Sequence, residues 1–89
     1  MLVTLEEAKQ YLRVDSSDDD SLISGLESTA EALCLDVTRT EELPTDSPIA
    51  RAAVLYAMAY LYEHREEADH KELSITLRAL LAPIREEAF

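Results

Sequence analysis

The chain has 89 residues, of which 19 are Asp or Glu and 8 are Lys or Arg, for a formal net charge of −11. So acidic a surface disfavours direct binding to a nucleic-acid backbone, which depends on Lys and Arg replacing condensed counterions. The lone Cys34 excludes an intrachain disulfide. The longest uncharged run, Ala52 to Tyr62, is roughly half of the ~20 residues that a membrane helix needs, so no membrane partner is expected.

With one glycine and three prolines, the chain lacks the turn chemistry of a sheet, and its apolar spacing is helical throughout. A small all-α bundle of about four helices is expected, spanning residues 1–89 as one domain. Thr4-Leu5-Glu6-Glu7 is a capping box that opens a first helix to about Arg13, with Leu5, Ala8 and Leu12 inward and Val3 stapled onto Ala8. Asp18, Asp19 and Asp20 crowd the start of a second helix, where carboxylates complement the positive end of the helix dipole. That helix runs to about Val37, with a core stripe of Leu22, Leu26, Ala30, Leu33 and Val37 widened by Ile23 and Cys34. Thr38 to Asp46 is polar and aperiodic and reads as a surface loop.

A third helix, over about 48–67, has the best-defined start. Ser47 offers an oxygen to the free amides of the first turn, and Pro48 fits the first helical position, where its missing N–H costs nothing. Ile49, Ala53, Tyr56 and Tyr60 form one stripe, Ala50, Val54, Ala57 and Leu61 a second, and Leu55, Met58, Ala59 and Tyr62 fill much of the remainder. A helix apolar nearly all round must be covered nearly all round, either by its own domain or by another subunit. The spacing predicts a break near Ala68 to His70 and a fourth helix from about Lys71 through Leu81, buried through Leu73, Leu77, Leu80 and Leu81. Pro83 disfavours helical geometry at Ala82, and residues 83–89 read as a tail holding the single phenylalanine, Phe89.

Three groups invite a chemical reading, and each has a plainer one. Asp15 to Asp20 lacks the glycine and the final glutamate of a calcium-binding loop in either register, so helix capping accounts for it. His64, Glu67 and His70 are spaced so that the two rings fall on largely different faces of a helix, which does not make a metal site. Cys34 lies on an apolar stripe with no base beside it and reads as a small buried hydrophobe. No phosphate-cradling loop or nucleophile elbow is present. The residues point to no catalytic site, no metal and no cofactor.

Taken whole, the chain resembles the small head-tail connector (adaptor) proteins of long-tailed bacteriophages and prophages. Three blocks carry the resemblance. The first is Val3-Thr4-Leu5-Glu6-Glu7-Ala8-Lys9-Gln10-Tyr11-Leu12-Arg13-Val14, followed by Asp18-Asp19-Asp20 and Leu22-Ile23. In the second, Leu43-Pro44 leads into Ile49-Ala50-Arg51-Ala52-Ala53 and Leu61-Tyr62-Glu63-His64-Arg65-Glu66. The third is Leu80-Leu81-Ala82-Pro83-Ile84-Arg85. Ile84 stands where members of that family commonly carry an aromatic residue, and the linker before the last block is shorter here than in many of them.

The resemblance implies a structural, non-catalytic subunit at the head-tail junction of a virion, made and assembled in the bacterial cytoplasm. Its implied partners are further copies of itself in a ring of about a dozen, the phage portal protein above and a tail-side connector or stopper below. DNA would pass through the channel without sequence-specific binding. A helix apolar on every side suits such a subunit, whose neighbours cover flanks that would be wet in a monomer. For the subunit interface the sequence nominates Tyr56, Met58 and Tyr60, and for docking of the tail Ile84 and Phe89. Composition alone equally admits a small acidic regulator, antitoxin-like or a DNA mimic, that binds a basic protein partner, or a generic helical domain of another cytoplasmic protein.

Overall fold

The computed structural model describes residues 2–44, 46–64 and 70–84. It contains four α-helices: α1 (Leu5–Leu12), α2 (Asp20–Thr38), α3 (Pro48–Glu63) and α4 (His70–Leu81). A 3₁₀ turn over Ala82–Ile84 follows them. There is no strand among the described residues. The antiparallel core is built on α2 and α3, which share the most extensive contact, with α1 and α4 each packed against both.

The helix starts form as their capping residues dictate. Thr4 Oγ1 accepts the Glu7 amide at 3.1 Å while Glu7 Oε1 accepts the Thr4 amide at 3.3 Å, closing the capping box. Val3 and Ala8 are both sealed from solvent, as the staple requires. At α3, Ser47 Oγ accepts the Ala50 amide at 3.2 Å and Pro48 opens the helix. Two helices end on arginine in the left-handed conformation, Arg13 after α1 and Arg39 after α2, both at φ 60°. That geometry favours glycine or asparagine, but each guanidinium gains from the negative end of its helix dipole.

Three boundaries and faces differ from the sequence expectation. First, α3 stops at Glu63 rather than near residue 67. His64 ends it with non-helical geometry; its Nδ1 lies 2.9 Å from the Tyr60 carbonyl, and its ring stacks on that of Tyr60 at 4.3 Å. The expected break at Ala68–Asp69 lies outside the described residues. Second, the buried face of α2 is Ile23, Glu27, Ala30, Cys34, Val37 and Thr38, while Leu22, Leu26 and Leu33 are only half-buried. Ile23, Ala30, Cys34 and Val37 are buried as expected; the face is shifted toward the side of Ile23 and Cys34 because Glu27 and Thr38, which an apolar count omits, are buried with them. Third, Leu80 is 38% exposed, whereas Leu73, Leu77 and Leu81 are sealed. Leu43, in the polar loop before α3, is buried as an anchor against the core.

Candidate subunit interface

Coverage of α3 is one-sided. Ala50, Ala53, Val54, Ala57, Met58 and Leu61 are buried against the rest of the chain. The three alanines on this face leave room for the neighbouring helices to pack closely. Left outward are Ile49, 39% exposed, and Tyr56, 36% exposed, with Ala52 exposed between them and Tyr60 half-buried in line. These residues recur at helical spacing along one stripe. A second outward apolar stripe runs along α4 and the turn after it, through Ile75 (59% exposed), Ala79 and Ala82.

The residues nominated from sequence therefore separate. Tyr56 and Tyr60 lie on the outward stripe of α3. Met58 does not: it is fully buried in the chain's own core, so its side chain has no surface to offer a neighbour. Because three stripes of α3 were equally apolar, sequence periodicity could not rank them. Ile84 ends the 3₁₀ turn; its side chain and the whole of Phe89 lie outside the described residues, as does Glu67. The stripe on α4 was missed, since Ile75 stands alone among polar neighbours in sequence.

At the start of α2 the acidic cluster ties helices together. Asp19 is the N-cap residue, but its side chain makes no cap bond. Instead its Oδ2 accepts the Tyr62 hydroxyl of α3 at 2.9 Å, and Asp20 pairs with Lys9 of α1 at 2.8 Å. Among the described residues no group of three His, Cys, Asp or Glu could hold a metal ion.

A second cluster, unforeseen from sequence, clasps the N-terminal strap of Leu2 and Val3. Glu31 accepts the Leu2 amide at 3.3 Å, the Leu2 carbonyl accepts from Arg51 of α3 at 3.3 Å, and Arg51 also pairs with Glu7. Beneath the strap Glu27 is only 2% exposed, and its Oε2 has no hydrogen-bond partner. Burial pushes its carboxyl up to about 7, helped by hydrogen bonding and charge from Glu31 and opposed by the Val3 backbone. Buried beside the same carboxylate, the Cys34 thiol is pushed up to about 12, by desolvation first and Glu31 second, which makes it an unreactive core residue. Glu27 is sealed beneath the strap and lines neither the shallow groove of Glu6, Lys9 and Arg13 nor the cleft of Asp36, Arg39 and Arg78, so its unusual carboxyl belongs to the fold.

The chain is helical and strongly acidic, and it leaves apolar residues exposed on two different helices. Its class follows from comparison: residues 2–84 match the sequence model described as phage gp6-like head-tail connector protein, and the chain belongs to that family. No curated protein and no solved structure matches it. The family is a structural one of the virion's head-tail junction, and no helix among the described residues is long and apolar enough to cross a membrane.

Proposed function

We propose that the protein is a ring-forming connector subunit that sits beneath the phage portal and extends the DNA channel toward the tail. The observation that carries this reading is the outward stripe of Ile49, Ala52 and Tyr56 on α3, with Tyr60 half-buried in line, in a chain of the connector family. Such a stripe is stable in water only as a small patch and gains most when a neighbour covers it. Head-to-tail packing of identical subunits is heterologous and closes into a ring when the rotation between neighbours divides the circle.

The excess of carboxylates suits a wall past which duplex DNA slides without sticking, since phosphate contacts need Lys and Arg. Family membership favours the connector over the acidic regulator. The portal above and a tail-side connector or stopper below are its proposed partners, and assembly takes place in the bacterial cytoplasm.

The test is genetic. A phage lacking this chain is expected to accumulate DNA-filled heads and separate tails, restored to joined particles by supplying the chain in trans. Normally joined, infectious particles without it would overturn the reading.

A further inference from the structure

Of the acidic and basic side chains among the described residues, only Glu27 is sealed in the core, and its Oε2 has no hydrogen-bond donor. A carboxylate held that way has given up its hydration and received nothing for it. A proton removes the charge and makes the carboxyl a donor toward Glu31, one turn further along α2. The N-terminal strap closes over this pair. The Leu2 amide donates to Glu31 Oε2 at 3.3 Å, the Val3 backbone bonds Glu27, and both side chains of the strap are buried, Val3 completely.

Glu31 is a like charge that favours the protonated form of Glu27, whereas the chain's amino terminus favours the ionised form. Across the strap, Arg51 of α3 holds the Leu2 carbonyl and pairs with Glu7 of α1. On α4 the charged side chains Lys71, Glu72 and Arg78 are exposed, and the packed face is Leu73, Leu77 and Leu81. None of the described cationic side chains pairs with Glu27, so water is what its ionised form lacks. The least disruptive way to admit water is to lift Leu2 and Val3. Beyond them Thr4 is exposed and caps α1 through Glu7, so the strap can leave with the helices still packed.

We propose that the N-terminal strap is a proton-controlled latch: it closes over Glu27 and Glu31 while they share a proton, and it swings out about Thr4 when that proton leaves to water. With the strap closed, burial pushes the Glu27 carboxyl up to about 7, whereas in water it titrates near 4.5. The closed form therefore binds more protons between those values, so closure is strongest at low pH and weakens as pH rises through the upper one.

Thiol labelling in the full-length chain tests the latch. Val3→Cys is made alone and together with Glu27→Gln, which cannot ionise. Each protein is exposed to iodoacetamide, and labelling at position 3 is followed by peptide mass. Comparing the two proteins at one pH cancels the ionisation of the new thiol itself. Labelling should be faster where Glu27 is kept, by about 30-fold at pH 6 and about 300-fold at pH 8 if opening brings Glu27 fully into water. Leu2→Cys is read in parallel, with circular dichroism on every variant, so a substitution that unfolds the chain does not decide the outcome.

Equal labelling of the two proteins at pH 8, or a ratio that does not change with pH, would overturn the latch. Whole-chain unfolding is the other route to exposure, and it accelerates steeply with urea because it exposes far more surface. Strap opening should leave labelling at position 3 nearly insensitive to low urea and the sealed Cys34 unlabelled. Labelling that follows urea as steeply as global unfolding, with Cys34 modified at the same rate, would show that the fold opens as one unit and would likewise overturn the proposal.

Discussion

The hydroxyl of Tyr62 donates to Oδ2 of Asp19 at 2.9 Å across 43 residues of sequence, fixing the C-terminal half of α3 to the first turn of α2. The adjacent Asp20 holds Lys9 of α1 in the same way. An acidic turn that serves only the helix dipole would be replaceable residue by residue. Here two neighbouring carboxylates reach two different helices, so the turn sets how three helices meet.

Tyr62→Phe removes the donor and leaves the ring. Because the pair is partly buried, the loss should be about 1 kcal/mol, a fall in melting temperature of about 4–8 °C for a chain of this size. Asp19→Ala should cost a similar amount, and the double variant little more than either, since both remove the same bond. Thermal unfolding followed by circular dichroism measures all three. Fully additive losses would show that the two residues act separately.

The Glu27 carboxyl makes stability fall with rising pH. Folded, it keeps its proton to about pH 7; unfolded, it loses it near 4.5. Between those values the folded chain binds more protons, so its contribution is complete below the lower value and is lost as pH rises through the upper one. The full swing is about 3 kcal/mol. Glu27→Gln cannot ionise and should flatten that part of the profile, leaving the variant more stable than wild type at pH 8. Urea unfolding at pH 5 and pH 8 checks this, and parallel profiles for the two proteins would contradict it.

Met58 and Tyr56 lie two residues apart in α3 and should fail in opposite ways. Met58→Ala opens a cavity in a sealed core and should cost about 2–5 kcal/mol. Tyr56→Asp changes an exposed position and should leave the melting temperature within a few degrees while abolishing self-assembly. Tyr60→Asp is a less clean probe, because Tyr60 also stacks on His64. Circular dichroism and light scattering on the same samples separate the two effects. Intact assembly in a folded Tyr56→Asp variant would remove the α3 stripe from the interface.

What the sequence disclosed and what it hid have physical causes. Helix starts were legible because Thr4, Glu7, Ser47 and Pro48 act on amides within their own first turn. The end of α3 was not, because it depends on His64 folding back onto Tyr60 rather than on a glycine stop. The face of α2 was legible through Ile23, Ala30, Cys34 and Val37, and its edge was not, because Glu27 is a buried carboxyl with raised proton affinity that an apolar count passes over. Which side of α3 faces out was undetermined from periodicity. In the fold Ala50, Ala53, Val54, Ala57, Met58 and Leu61 face the core and Tyr56 faces out, with Tyr60 and Tyr62 half-buried. The family was legible from the order of three weak blocks, and residues 2–84 match it.

The most direct test of the connector reading is the mass of the protein in solution, by size-exclusion chromatography with multi-angle light scattering. The measurement is made on the chain alone over a range of concentrations and then with its cognate portal protein. The account predicts a closed oligomer of about a dozen subunits, or co-elution with the portal, lost in Tyr56→Asp. A species that stays at one or two times the 10.0 kDa chain mass and ignores the portal would contradict it.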